Sequence, residues 1–559
     1  MSHSGRRSRR CAAIAVLALG VWAAAAQAAV KISSLTAAPV STQAGAHAAF
    51  SVHVDFDRSA ATGNGEHPNS IVLHLPAGLI GDPSSATQCS QADFAARTCP
   101  ATAKVGTSSI AATASMVGLS LPITASGTIY VLTPNPGETA RLGIDLFPDG
   151  TAATVLSPHA ILSQSVVSVR GTTDGGLDST LTGLPKTATT TLGTADVTLN
   201  SLALTLDAAA ARGPFETNPT SCGVKTTSID VVSYEDPAAV GSASGSFTSV
   251  GCDALAYAPQ VTVALSGSNR QGGRPQLSTK ITQGTGEAAT KRVQLMLPIS
   301  VQPDLEQINK HTCTQAPDAC PPTSVVGTAT AVTPLLPIPL TGPVYMVASG
   351  GLAPNLHITL QPLGISVTGV SDLVGSQVVT TFDNLPDTPL SSFTLVFNGG
   401  PGSIVRNGVD MCRDSAVTTG SLLGQNDKSL AVRTKIVVPG CKPVVSATLR
   451  GKERRAKLTL RATAARGGAA LSRVRFTLPA RVKIARWQSH QHTLSPKTGT
   501  ARRVSGHVVS IALGRNGSTQ ATLVIRGGAV HTLRHGSRRL TVKTTDIAGQ
   551  SVTQRVTIH

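Results

Sequence analysis

Cysteines are the residues of this chain whose types and spacing most clearly predict chemistry, and that chemistry is disulfide formation. Of nine cysteines, Cys11 lies in an N-terminal leader, and the other eight are an even number, as disulfide pairing requires. Their Cys-x9-Cys and Cys-x6-Cys spacings do not match the two to four intervening residues of structural zinc sites. The eight cysteines are Cys89, Cys99, Cys222, Cys252, Cys313, Cys320, Cys412 and Cys441.

An internal repeat narrows the 105 ways in which eight cysteines can pair. Cys99-Pro100 leads to a Val-Gly-Thr triplet at 105–107, and Cys320-Pro321 leads to the same triplet at 326–328. Further landmarks recur in the same order up to Cys252 and Cys441, which indicates two copies of one module. Pairing is therefore expected to stay within each copy: Cys89–Cys99, Cys222–Cys252, Cys313–Cys320 and Cys412–Cys441.

Motifs for catalysis or cofactor binding are scarce. The triplet 497–499 (KTG) imitates a penicillin-binding box, but no Ser-x-x-Lys accompanies it, and a turn after Pro496 explains it better. His490 and His492 share a strand face but lack a third metal ligand. No His-Glu-x-x-His, Gly-x-Ser-x-Gly or phosphate loop occurs. We therefore expect no catalytic site, metal or cofactor; the alternative is an exported hydrolase with an unrecognised site.

The leader predicts export. Four arginines within residues 6–10 precede an apolar stretch, 11–26, which ends in an Ala-x-Ala site. These are the parts of a secretory signal peptide, residues 1–28, and the apolar stretch is shorter than the ~20 residues of a membrane span. No later segment is long and apolar enough to span a bilayer. Because disulfides form outside the cytosol, the general secretory route and a secreted or cell-surface location are expected.

Composition and periodicity predict an all-β fold. Of the 559 residues 41% are hydrophobic, but only 14% are charged and 3% aromatic. Short apolar/polar alternations lie between Gly, Pro and Asn, and no 3.6-residue period is sustained. This pattern favours tandem β-sandwich or meander modules stapled by disulfides, and it excludes coiled coils, polytopic membrane proteins and collagen.

Recurring patterns also suggest a domain order. Three stretches share a strand pattern that ends in an apolar-x-Leu-Pro motif, at 73–76, 295–298 and 476–479. The expected division is a signal peptide (1–28), an N-terminal strand unit (29–76), cysteine module copy 1 (77–252), a strand unit (253–298), cysteine module copy 2 (299–442) and a basic immunoglobulin-like domain (443–559).

Two segments resemble a known class of module. Residues 381–393 (TFDNLPDTPLSSF), followed by Cys412, and residues 215–222 (FETNPTSC) resemble modules repeated in exported proteins of high-GC Gram-positive bacteria. The resemblance implies an exported β-rich repeat protein and no established activity. Copy 1 departs from it, with Lys186 where copy 2 has Asp387. Residues 542–549 are similar to the last hairpin of bacterial immunoglobulin-like domains.

The formal net charge of +18 is concentrated at the C-terminal end. Residues 443–559 hold 22 Lys and Arg against Glu453 and Asp546, whereas residues 29–442 are net negative, at −6. Basic residues alternate with apolar ones there, which predicts cationic sheet faces. Such a face can be merely solvated, or it can bind anionic cell-wall polymers or lipid head groups; nucleic acid is the least expected partner because aromatics are few.

A structural or adhesive role at the cell envelope, with this domain as the tether, is the expected function. The candidate polyanion-binding residues are Arg473, Arg475, Arg481, Lys483, Arg486, Arg538 and Arg539.

Overall fold

The fold of the chain is known from a computed structural model. It describes residues 29–58, 66–116, 119–150, 161–190, 193–451, 456–532 and 538–559. The predicted signal peptide lies outside the described residues. Strands dominate the fold, which confirms the all-β prediction.

In the part of the chain that the structure describes, helical structure is confined to short segments, with the α-helices α1 (Gln91–Ala95) and α2 (Leu305–His311). Among the described residues, no helix has the length and apolar character to cross a membrane. The 3-10 turns are Pro83–Ser85, Ala101–Ala103, Cys252–Ala254, Pro317–Ala319, Pro322–Ser324, Gly400–Gly402, Ser489–Gln491 and Gly527–Ala529.

The first unit, residues 29–255, is built around a twelve-stranded antiparallel sheet. Its strands are β1 (Ile32–Pro39), β2 (Phe50–Phe56), β3 (Pro68–His74), β4 (Ile80–Gly81), β5 (Lys104–Met116), β6 (Leu119–Leu132), β7 (Ala140–Pro148), β8 (Ile161–Val169), β9 (Leu177–Thr182), β10 (Thr187–Thr190), β11 (Gly193–Leu206), β12 (Ala209–Ala210), β13 (Gly213–Pro214), β14 (Glu216–Thr217), β15 (Gly223–Ser233) and β16 (Val240–Ser249). The sheet order is β1-β2-β11-β5-β6-β7-β8-β9-β3-β15-β16, with β10 paired to β11. Strands β4 and β14 form a separate small ladder, as do β12 and β13.

The second unit, residues 256–442, repeats this arrangement. Its strands are β17 (Gln260–Ser266), β18 (Gln276–Thr282), β19 (Thr290–Met296), β20 (Val301–Pro303), β21 (Val325–Val332), β22 (Leu340–Val347), β23 (Asn355–Leu360), β24 (Ile365–Val374), β25 (Gln377–Phe382), β26 (Ser392–Phe397), β27 (Val405–Asn407), β28 (Val417–Gly424) and β29 (Ser429–Lys435). The order β17-β18-β26-β21-β22-β23-β24-β25-β19-β28-β29 matches the first sheet strand for strand, and β20 pairs with β27 as β4 does with β14.

The third unit, residues 443–559, is a two-sheet sandwich. Its strands are β30 (Val444–Arg450), β31 (Lys457–Thr463), β32 (Leu471–Thr477), β33 (Val482–Ile484), β34 (His492–Ser495), β35 (Thr500–Ser505), β36 (Val508–Ala512), β37 (Gln520–Ile525), β38 (Val530–Thr532), β39 (Arg539–Asp546) and β40 (Ser551–Thr557). One sheet has the order β30-β31-β37-β34, the other β35-β36-β32-β39-β40, and β33 pairs with β38.

All three units follow one plan. In each unit the first two strands lie side by side at one end of the strand order, and the third strand lies beside the last two strands. The A-B-E and C-F-G groups of an immunoglobulin sandwich are arranged in the same way. In the two large units a meander joins these groups into a single barrel-like sheet. The predicted strand units 29–76 and 253–298 therefore lie in the same sheets as the cysteine modules that follow them, and are not separate from them.

In each unit an isolated parallel bridge joins a residue in or after the first strand to a residue just after the last strand. The bridging pairs are Gln43 with Val250, Ala264 with Val437, and Ala447 with Ile558. Closure matters because one face of nearly every strand carries apolar side chains, and an interior with an open edge would expose them together with unpaired backbone groups. The three interiors are separate hydrophobic cores.

The repeated Val-Gly-Thr triplets have a structural cause. Gly106 and Gly327 each follow a β-bulge, where the register shifts by one residue. A Cβ atom on Gly327 would lie 2.1 Å from the carbonyl oxygen of Val396, and one on Gly106 would lie 2.2 Å from that of Thr205. The neighbouring backbone therefore approaches too closely for any side chain.

The four disulfides of the structure join the same cysteines that the repeat predicts. Cys89–Cys99 and Cys313–Cys320 close short loops beside α1 and after α2. Cys222–Cys252 and Cys412–Cys441 each link the two ends of a hairpin, β15–β16 and β28–β29. Each bridge is expected to stabilise its unit by about 2–4 kcal/mol, mainly by restricting the unfolded chain.

A buried carboxylate joins the first two units. Asp387, 5% exposed, lies in the loop between β25 and β26. Its Oδ2 accepts hydrogen bonds from the Thr220 amide (3.0 Å), the Ser221 amide (3.0 Å) and the Ser221 hydroxyl (2.7 Å), and its Oδ1 accepts one from the Thr220 hydroxyl. This contact explains why copy 2 differs from copy 1 at this place. In the first unit the corresponding residue is Lys186, whose Nζ lies 4.0 Å from Oε1 of Glu235.

The glycine account predicts a large effect of one methyl group. Gly327→Ala should destabilise the chain by roughly 3 kcal/mol or more, because two paired strands must move apart. Gly350→Ala is the matched control, since nothing lies within 4 Å of its Cβ position. Thermal and denaturant unfolding measure both, and equal stability of the two variants would refute the account.

The buried Glu216 predicts a pH effect. Its side chain is 1% exposed, its Oε2 has no partner among the described residues, and burial raises its pKa well above the usual 4.5. Glu216 keeps its proton in the folded chain and loses it on unfolding above about pH 4.5. Its contribution therefore lowers the free energy of unfolding as the pH rises towards the pKa of the folded state. Glu216→Gln should therefore raise the Tm at pH 7 and have less effect near pH 4. The exposed Glu306, changed to Gln, is the control; a lower Tm for Glu216→Gln at pH 7 would contradict the expectation.

Candidate polyanion-binding surface

The basic residues of the third unit lie where strand alternation places them. On β32, Val474 and Phe476 are fully buried, whereas Arg473 and Arg475 are exposed on the opposite face. Apolar burial thus fixes the orientation of the strand and leaves its arginines in solvent.

Strand register then brings charges from different strands together. Arg475 lies directly opposite Lys543 on β39, and on its other side Ser510 separates it from Arg502 on β35. Neighbouring strands are about 4.8 Å apart, so the five strands of this sheet span about 19 Å. We call the outward basic residues of this sheet the basic sheet face. Its members are Arg473, Arg475, Arg502, Arg539, Lys543 and Arg555, all exposed.

Little negative charge offsets this face. The one carboxylate side chain among the described residues of the third unit is that of Asp546. Its Oδ1 accepts from the amides of Ala548 and Gln550, and its Oδ2 accepts from the Gly440 amide of the second unit. Like charges directly opposite each other on a sheet are destabilising, so the Arg475–Lys543 pair would gain from a bound anion.

Four of the seven predicted residues do not lie on this face. Lys483 is on β33, in the separate ladder with β38, where it packs beside Gly506. Arg481 immediately precedes that strand, Arg486 lies in the connection after it, and Arg538 immediately precedes β39. On β33 the predicted alternation is present, with Lys483 exposed between buried Val482 and Ile484, but this strand pairs with β38 and not with the main sheet.

Arg502, Lys543 and Arg555 belong to the face but are not in the predicted set. Alternation in the sequence indicates that Lys543 points outward. Its position opposite Arg475 depends on the pairing of strands 68 residues apart, for which the sequence carries no local signal.

His492 and the 497–499 triplet have structural roles in this unit. The His492 ring stacks on Trp487 with centroids 4.2 Å apart, and its Nδ1 lies 2.9 Å from the Gln488 carbonyl oxygen. The Gly499 amide donates to the Pro496 carbonyl oxygen at 3.1 Å, which forms a turn. The described part of the chain contains no group of three or more side chains arranged to hold a metal ion.

The third unit has its own cysteine-free core, which predicts independent folding. Leu458, Leu460, Phe476 and Val542 are fully buried within it. An isolated fragment 443–559 should therefore give a β-sheet circular-dichroism spectrum and a cooperative melt, unchanged by reductant. A disordered spectrum, or loss of structure in reductant, would contradict this.

Comparisons with known proteins leave the family open. No protein-family model and no curated protein matches the chain. Similar solved structures include a protein described as membrane-anchored from Corynebacterium diphtheriae, at 8% identity over 94% of this chain and 89% of that chain, with a TM-score of 0.17. The N-terminal domain of the Streptococcus gordonii adhesin Sgo0707 is 10% identical over 87% of this chain and 94% of its own, with a TM-score of 0.17. Similarity at this level carries no argument about function, which rests on the chain's own residues.

Proposed function

We propose that this chain is an exported structural or adhesive protein of the cell envelope, tethered by its third unit to anionic envelope polymers. The single observation that carries the proposal is the basic sheet face, an exposed array of cations in a unit nearly devoid of acids. The rest of the mature chain has a net charge of −6, so attraction to a polyanion is confined to one end.

The geometry favours an extended anionic partner. Arg473, Arg475 and Lys543 lie on adjacent strands, so several phosphate or carboxylate groups of one polymer can be contacted together. Guanidinium groups bind such anions with paired hydrogen bonds, which suits arginine to this role. Four disulfides fit an oxidising compartment outside the cytosol, where envelope polymers are the abundant polyanions.

Nucleic acid is a weaker candidate partner. Proteins that bind single strands supply exposed aromatic rings on which bases stack. In the third unit Phe476 is fully buried and Trp487 is already stacked on His492. The basic sheet face therefore offers charge without a stacking platform.

Removing charge from the basic sheet face should weaken binding of the mature chain to purified cell walls. Each basic residue near an anionic surface contributes about 1 kcal/mol, so Arg473→Gln, Arg475→Gln and Lys543→Gln together should weaken binding roughly 100-fold at low salt. Sedimentation with cell walls, over a range of protein and salt concentrations, measures the affinity.

A matched variant separates the basic sheet face from overall charge. Arg450, Lys457 and Arg461 are exposed on the opposite sheet, and changing all three to Gln removes the same charge. This control should bind much more tightly than the first variant. Equal weakening by both variants would leave no role for the face, and attachment that persists unchanged in molar salt would refute the electrostatic tether.

Two further samples identify the partner and the binding unit. Fragment 29–442 should stay in solution beside cell walls, because it lacks the third unit. Anionic phospholipid vesicles, measured at the same salt concentrations, show whether lipid head groups bind this face as tightly as wall polymer does. Binding of fragment 29–442 as tight as that of the full mature chain would contradict the proposal.

A further inference from the structure

The second unit forms most of the wall of an apolar cavity of about 260 Å³. Its walls are inward-facing side chains of the barrel-like sheet, including Leu277 and Ile281 on β18, Leu356 and Leu360 on β23, and Leu395 on β26. All five are buried members of one hydrophobic core. The interior of this unit is therefore wider than its own side chains fill.

The lining of the cavity follows the strands of the sheet. Its lining on β18 extends from Leu277 at one end of the strand to Gln283 just beyond the other, which is about 20 Å of chain. A compact cavity of about 150 Å³ holds benzene. A volume of this size drawn out along the strands suits a chain better than a ring.

One wall residue carries an unused hydrogen-bonding group. Thr418, on β28, lines the cavity and has no exposed surface, and its Oγ1 has no partner among the described residues. Leaving a buried hydroxyl unpaired is costly. None of the described residues that line the cavity is charged, so a partner for this hydroxyl must be neutral.

The same position recurs in the other units. In each unit the strand that carries the apolar-x-Leu-Pro motif ends at a residue that is paired with the neighbouring strand: Met296 with Thr419, His74 with Ser228, and Thr477 with Thr541. The residue just before that partner is the equivalent of Thr418. The first unit has Thr227 there, also fully buried and without a partner for its hydroxyl among the described residues, but Thr227 does not line that unit's own interior cavity of about 520 Å³. The smaller third unit has Leu540, which is packed into its core.

The first unit covers the mouth of the cavity. Ile80, Val167 and Leu177 of the first unit complete its lining, and the hydrogen bonds of Asp387 to Thr220 and Ser221 hold the two units together beside it. An occupant would therefore be shielded from water along most of its length.

We infer that the second unit binds an unbranched aliphatic chain that carries a neutral oxygen, with the chain along the barrel and the oxygen hydrogen-bonded to Thr418. Long-chain alcohols and their esters have this chemistry. Burial of each methylene group supplies the affinity, and the hydroxyl of Thr418 selects a chain with an oxygen over a plain hydrocarbon. This inference does not depend on the tether to polyanions.

Equilibrium dialysis of radiolabelled 1-dodecanol, with n-dodecane as the plain hydrocarbon, tests the inference on the full mature chain. Ala331→Phe fills the cavity from β21, whereas Thr330→Phe adds the same group to the outer side of the strand. Saturable binding of dodecanol by the parent and by Thr330→Phe, and its loss in Ala331→Phe, is expected. Equal binding by both phenylalanine variants, or no saturable binding by the parent, would overturn the inference.

An isosteric pair keeps the test decisive if Ala331→Phe does not fold. Thr418→Val should weaken binding of dodecanol about 2–10-fold and leave binding of n-dodecane unchanged, because only the hydroxyl is removed. Thr227→Val, the equivalent change in the first unit, should leave both unchanged. An effect of Thr227→Val without one of Thr418→Val would place the site in the first unit and refute the assignment.

Discussion

The requirement that each strand bury one apolar face determines most of this structure. A strand that alternates apolar and polar residues has one side that must leave water, and a sheet of such strands must therefore close on itself or on a second sheet. In all three units an isolated parallel bridge joins the chain near the first strand to the chain just after the last strand. The same closure needs Gly106 and Gly327 at their bulges, because the strands there approach too closely for a Cβ atom.

Two functional features are consequences of that constraint. Outside, the polar face of each strand is free to carry charge, and in the third unit that charge is almost wholly positive. Inside, the number of strands sets the space to be filled. The nine main strands of the third unit leave an interior that side chains such as Leu540 fill, whereas the meander of the second unit widens its interior around Thr418.

Local features of this fold can be predicted from the sequence, but long-range ones cannot. Repeated landmarks around the cysteines lead to the four disulfide pairs, and alternation leads to exposed Arg473 and Arg475. Strand order depends on pairing between distant segments. Because β3 lies between β9 and β15, residues 29–76 belong to the same sheet as the cysteine module that follows them, although local sequence patterns separate the two. Likewise, the opposition of Arg475 and Lys543 follows from register alone. The cavity cannot be predicted from the sequence, because a unit with a filled core has the same alternation of Leu and Val residues.

The most direct test of the tether is a map of which arginines a polyanion covers. Phenylglyoxal modification of the mature chain, with and without purified anionic cell-wall polymer, followed by peptide mass mapping, measures this residue by residue. We predict that the polymer protects Arg473, Arg475 and Arg555 while Arg450 and Arg461 on the opposite sheet stay reactive. Equal protection of both sheets, or protection of neither, would contradict the account.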